Sequence, residues 1–108
     1  MDLDISDNSL GNDGADILAE VINENQLGHM KKLNVSNCKI DFSGFYRIIV
    51  SLESNKRLEV LNFSKNNLHS DKFSLLKPNL VNCNLKDLQL SKCKLRNHAC
   101  DYSILLNY

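Results

Sequence analysis

The sequence predicts an α/β solenoid: a short stack of about four repeats, parallel strands on a concave face and helices on a convex face. Three observations point there. A short apolar segment recurs along the chain. Within each copy, two apolar residues alternate with polar ones, as strand side chains alternate between faces. After each copy comes a stretch whose apolar residues fall on one helical stripe.

The clearest copy is LEVLNFSKNNL, Leu58 to Leu68. MKKLNVSNCKI runs from Met30 to Ile40 and LKDLQLSKCKL from Leu85 to Leu95, with a shorter copy, LDISDNSL, from Leu3 to Leu10. The paired apolar positions are Leu3 and Ile5, Leu33 and Val35, Leu61 and Phe63, Leu88 and Leu90. The slot that follows holds Asn8, Cys38, Asn66 and Cys93. A fixed period of about 28 residues marks a stacked array, in which no unit can bury its apolar face alone.

In these segments the chain resembles the leucine-rich-repeat family, through the pattern L-x-x-L-x-L-x-x-N/C-x-L. Repeat length and the asparagine/cysteine slot are similar to the ribonuclease-inhibitor-like subfamily, where L-x-x-x-G leads into the helix. LGNDG at Leu10 to Gly14 and IDFSG at Ile40 to Gly44 match it, while Lys72 and Ala99 stand in the glycine slot of the third and fourth repeats. The resemblance covers nearly the whole chain and implies one domain, 1–108, with repeats near 1–29, 30–57, 58–84 and 85–108.

Each element has a physical reason. The strand pairs send two side chains inward, and stacked copies make a parallel sheet about 4.8 Å from strand to strand. An asparagine just past the strand satisfies the buried backbone groups of the turn, and cysteine is a small substitute with a weak donor. Cys38 and Cys93 then lie two repeats apart, about 10 Å, beyond disulfide reach. The first helix is expected over Asp13 to Asn25 on a stripe of Ala15, Ile17, Leu18, Val21 and Ile22. The second is expected over Ser43 to Asn55, with Ser43 as N-cap. The third, Ser70 to Asn82, contains Pro78, which should break it near Lys77. A short last segment, His98 to Tyr108, offers Ile104, Leu105 and Leu106 to the end of the core.

Composition narrows the function. At 108 residues the chain suits one domain, and its 13 basic and 13 acidic residues cancel. Such a balance argues against bulk electrostatic binding of nucleic acid or an anionic membrane. No apolar run approaches the roughly 18 residues of a membrane span, and MDLDISDNSL does not read as a signal peptide. The four cysteines form no metal spacing; they read as reduced and mostly buried, in a cytoplasmic setting. No phosphate-binding glycine motif occurs, and His29, His69 and His98 fall in loops away from the strand face. The expectation is therefore a non-enzyme without cofactor or metal, binding neither nucleic acid nor membrane.

That leaves the residues the strands turn outward. One column is Asp2, Lys32, Val60 and Asp87, and the next is Asp4, Asn34, Asn62 and Gln89. A serine column of Ser6, Ser36, Ser64 and Ser91 suits a tight turn. It is followed by Asp7, Asn37, Lys65 and Lys92. Amides in a row suit recognition of peptide groups. The shift from Asp2, Asp4 and Asp7 to Lys65, Lys92 and Lys94 would set the register of a charged partner. The face expected to bind another protein is thus Asp2, Asp4, Lys32, Asn34, Asn37, Val60, Asn62, Lys65, Asp87, Gln89 and Lys92.

The resemblance sharpens this to a small regulator that occludes a partner enzyme. It extends to short effectors of intracellular bacteria, which would act in a host cytosol and bind another effector. The alternative is a structural repeat segment of a larger receptor or cytoskeletal assembly. The start of the chain shows no capping element, and Leu3 and Ile5 lie one layer from solvent. A fragment, a self-capping first repeat and an edge covered by a partner all remain open at this stage.

Overall fold

A computed structural model of the chain describes residues 2–24, 30–54, 56–68 and 76–93. The elements in order are β1 (Asp2–Asp4), α1 (Gly11–Asn23), β2 (Lys32–Asn34), α2 (Phe42–Ser54), β3 (Val60–Asn62), α3 (Lys77–Asn82) and β4 (Asp87–Gln89). The strands form one parallel sheet in the order β1-β2-β3-β4. Leu3, Leu33, Leu61 and Leu88 are partners across it in direct register. Four parallel strands alternating with helices make the expected short leucine-rich-repeat solenoid.

Strand pairing runs past the formal strand ends. Ile5, Val35 and Phe63 each donate a backbone N–H to the carbonyl of Asn34, Asn62 and Gln89 in the following repeat, at 2.9 Å. Asp7, Asn37 and Lys65 do the same to Ser36, Ser64 and Ser91, at 2.9–3.0 Å. Each of these turn residues, and Lys92 after them, has a left-handed backbone, with φ of 61°, 52°, 61° and 56°. Asparagine and aspartate enter that region readily, whereas lysine does so at a cost of about 1 kcal/mol. The hydrogen bonds of the stack hold Lys65 there.

The slot behind the turn does what its chemistry allows. Asn66 is 3% exposed. Its Oδ1 accepts the N–H of Cys38 at 2.9 Å and of Ile40 at 3.1 Å, both in the preceding repeat. Its Nδ2 donates to the carbonyls of Val35 at 2.9 Å and Phe63 at 3.0 Å. Cys38 and Cys93 use the thiol instead, donating to Ile5 O at 3.2 Å and Phe63 O at 3.1 Å. Both are free thiols, as is half-buried Cys83; Cys100 lies outside the described residues.

Behind the sheet a single core joins the strand leucines to the helices, with Phe45, Ile48, Ile49, Leu52, Phe63, Leu68 and Leu76 fully buried. The Phe45 and Phe63 rings meet at 4.6 Å with a tilt of 55°. Helices α1 and α2 lie close because Gly44 has no side chain. A Cβ there would stand 2.5 Å from Ile40 Cγ2, 2.6 Å from Asn12 Oδ1 and 2.9 Å from Ala15 Cβ.

One helix expectation needs correction. Ser43 is not the N-cap of the second helix, which begins at Phe42. Asp41 caps it: its Oδ1 accepts the Ser43 N–H at 2.8 Å and the Asn12 Nδ2 at 2.8 Å. The boundary expected near Lys77 is where α3 starts: Pro78 sits in its first turn, where its missing N–H has no intrahelical partner to lose. Ser70, Lys72, Ala99, the segment His98 to Tyr108 and the three histidines lie outside the described residues.

Replacing Asn66 with alanine strands two donors and two acceptors in a dry interior. It should lower the unfolding free energy by about 3–5 kcal/mol in urea titrations. Gly44→Ala forces α1 and α2 apart and should cost about 1–3 kcal/mol by the same measurement.

Candidate protein-binding face

Because the inner residues of every strand are committed to the core, the alternate residues form the opposite sheet face. Asp2, Lys32, Val60 and Asp87 are aligned partners, and so are Asp4, Asn34, Asn62 and Gln89. Asp2, Asp4, Lys32, Asp87 and Gln89 are exposed; Asn34, Val60 and Asn62 are half-buried. The exposed turn residues Asn37, Lys65 and Lys92 border them. The structure therefore gathers all eleven residues of the expected face along one side of the sheet.

The middle column is less free than a row of solvent-facing amides. Asn34 Oδ1 accepts the Ser36 N–H at 3.0 Å, and Asn62 Oδ1 accepts the Ser64 N–H at 3.1 Å. Asp4 Oδ1 accepts the Ser6 N–H at 2.9 Å and also the Ser6 hydroxyl. These bonds from Ser6, the hydroxyl first, hold the Asp4 carboxyl below its ordinary range. One acceptor of each side chain thus closes the turn that ends its own strand. Gln89 breaks the pattern, donating Nε2 to Asp87 Oδ2 at 3.1 Å. Ser64, 7% exposed, accepts both the N–H and the hydroxyl of Ser91, at 3.1 and 3.0 Å.

Charge is arranged across the stack. Asn37 Nδ2 donates to Asp7 Oδ1 at 2.9 Å, joining the first two turns. Farther along, Lys39, Lys65 and Lys92 meet Asn37, Asp41 and Asn67 around a cleft of about 370 Å³. At the entry side of the strands, Glu59 Oε2 lies 3.4 Å from Lys31 Nζ and 3.4 Å from Lys86 Nζ, one ammonium from each neighbouring repeat. Sequence reasoning missed this row, although Lys31, Glu59 and Lys86 share a slot two residues before the first inner leucine. Lys39 was also missed, since only folding brings it beside Lys65.

Among the described residues the thiols are not activated. Burial pushes the Cys38 and Cys93 thiols up, and it pushes Cys83 up to about 12, with Glu53 adding to the effect. A thiol so raised is neutral and inert near neutral pH. Among the described residues there is no group of three or more His, Cys, Asp or Glu able to hold a metal ion, and no helix is long and apolar enough to cross a membrane. On the helix side, Asp16, Glu20, Tyr46, Arg47 and Val50 line an open groove of about 970 Å³ between α1 and α2.

Lys31 first, then Lys86, holds the Glu59 carboxyl below its ordinary value. A depressed folded pKa contributes stability above the unfolded carboxylate value and loses it as pH falls through the folded one. Wild type should therefore exceed Glu59→Gln in urea midpoint near neutral pH. That difference should vanish between about pH 5 and about pH 3, and should also shrink in high salt.

No protein-family model matches the chain. It is 34% identical over 101 residues to NACHT, LRR and PYD domains-containing protein 3 of Homo sapiens, and equally to that of Macaca mulatta. Each match covers 92% of this chain and 10% of the relative. NACHT, LRR and PYD domains-containing protein 13 of Homo sapiens is 30% identical over 104 residues, covering 93% of this chain and 10% of its own length. The chain spans about a tenth of the length of these curated relatives. On a fold of four stacked parallel strands alternating with helices, this distant similarity to the leucine-rich-repeat region of NACHT, LRR and PYD proteins supports placing the chain among the leucine-rich repeats.

Proposed function

We propose that the chain is a non-catalytic, protein-binding leucine-rich-repeat segment that works as part of a larger receptor-like assembly. The observation that carries this reading is the match over nine-tenths of the chain to a tenth of much longer proteins whose names include LRR. Its partner is another protein, met by the polar sheet face around Asp2, Lys32, Val60, Asp87 and Gln89 and by the lysines of the turns. Supporting this are the direct register of the columns and the absence, among the described residues, of an ion pair on Lys32, Lys65 or Lys92. An independent inhibitor of an enzyme and a bacterial effector gain no support, because the relatives above are mammalian proteins not described as inhibitors.

The test compares two surfaces. Lys32→Glu, Lys65→Glu and Gln89→Ala together change exposed side chains without removing the turn acceptors Asn34 and Asn62, so the unfolding midpoint should barely move. The immobilised wild type should retain a partner from its native source that this variant binds at least about 10-fold less tightly. A control with Glu20→Lys and Val50→Asp on the helix side should keep it. Loss by the helix-side control alone would reject the sheet face.

A further inference from the structure

We infer that the groove between α1 and α2, on the helix side, is a docking site for a basic amphipathic helix of another protein. It is a second interface, separate from the sheet face, and its test does not depend on that face.

The first support is a comparison of equivalent positions. The core stripe of α2 is Phe45, Ile48, Ile49 and Leu52, all buried. A second apolar stripe runs beside it at a spacing of four residues. It consists of Phe42, half-buried, then Tyr46 and Val50, 44% and 37% exposed. Counted from Gly14 and Gly44, the same slots of α1 hold Asn12, Asp16 and Glu20. The first helix fills these slots with polar residues, so stacking does not require apolar ones. In α2 the three apolar side chains line the groove instead.

The groove has the shape a helix needs. It encloses about 970 Å³ between two helices of 13 residues. Helices of that length run for about 20 Å, enough to cradle about three turns of a third. Phe42, Tyr46 and Val50 form one wall, and Asp16 and Glu20 form the other. Between the walls lie Ala19 and Ser51, both small and buried. The Ser51 hydroxyl donates to the Ile48 carbonyl at 2.6 Å, so it demands nothing of an occupant. Small residues at the bottom allow close approach, and the tyrosine and valine cover an apolar helix face.

Charge selects the occupant. Asp13, Asp16 and Glu20 share one face of α1, and α1 contains no basic residue. Arg47 Nε lies 3.0 Å from Asp16 Oδ1 and compensates that carboxylate alone. Among the described residues Asp13 and Glu20 have no ion pair. A helix that presents apolar residues to Tyr46 and Val50, and lysine or arginine to Asp13 and Glu20, satisfies both walls. Phosphates of a lipid surface or a nucleic acid would meet these acids with like charge. A second copy of the same groove would set carboxylates against carboxylates.

The probe is a labelled peptide of about 18 leucine and lysine residues with its leucines on one helical stripe. In fluorescence anisotropy the 108-residue chain should bind it at least about 10-fold more tightly than two controls. One control has the same composition with scattered leucines, and the other has glutamate in place of lysine. Glu20→Lys with Val50→Asp should weaken binding at least about 10-fold without moving the unfolding midpoint, and Tyr46→Ala should weaken it as well. Asp13→Lys with Glu20→Lys should reverse the preference toward the leucine–glutamate peptide. The sheet-face variant Lys32→Glu, Lys65→Glu and Gln89→Ala should bind the probe as the wild type does. No binding, equal binding of striped and scattered peptides, or loss in the sheet-face variant alone would overturn the inference. Retention on phosphatidylserine vesicles that Val50→Asp abolishes, or a dimer that it dissolves, would also overturn it, the groove then holding a membrane or a second copy.

Discussion

A chain that turns at the end of every strand buries backbone N–H and carbonyl groups with no strand partner. Leaving them unpaired costs about 1–3 kcal/mol each. The rest of this structure depends on the way that cost is removed. At Asn66 one side chain takes four of these groups, two donors and two acceptors, from two neighbouring turns. Register follows from it, because the amide reaches the previous turn only when the inner leucines are stacked directly. Where cysteine fills the slot, a single thiol donor serves, so Cys38 and Cys93 lean more on the strand ladder that runs past them.

The same arrangement makes a binding surface available. The second and third repeats commit their inner pairs and slot residues to the stack, and α2 commits its apolar stripe. What remains is the outward half of each strand and the left-handed turn residue, four to a column and aligned from one repeat to the next. Their identity is not constrained by packing, so charge can change along the array from Asp7 to Asn37 to Lys65 and Lys92. The helices contribute in another way. Gly44 lets α2 lie against α1, and this sets how tightly the convex side closes behind the sheet.

Much of the fold was legible in the chain. Leu-x-Leu pairs at a fixed period gave the strands and their order, because strand alternation and repetition leave one way to bury them. The outward columns followed from the same alternation. The asparagine/cysteine slot gave the turn. Less legible were the details of helix entry. Ser43 and Asp41 are both good capping residues, and only the backbone path decided that Asp41 caps and Ser43 sits within the helix. Pro78 was visible as a boundary near Lys77, and it sits in the first turn of α3.

The sequence by itself determined that four similar units stack, which strand residues point inward, and which polar residues share a column, since these depend only on periodicity and side-chain chemistry; Ile17, expected on the inner stripe of the first helix, is 64% exposed instead. Tertiary structure alone decided how free those residues are. Asn34 and Asn62 look like open recognition amides in one dimension, yet in three each closes a turn through its Oδ1. Glu59 looks like an isolated acid, yet two ammoniums from other repeats converge on it. The physical reason is the same in both cases. A hydrogen bond or an ion pair is fixed by the distance between atoms, and stacking brings together groups that the sequence keeps about 28 residues apart.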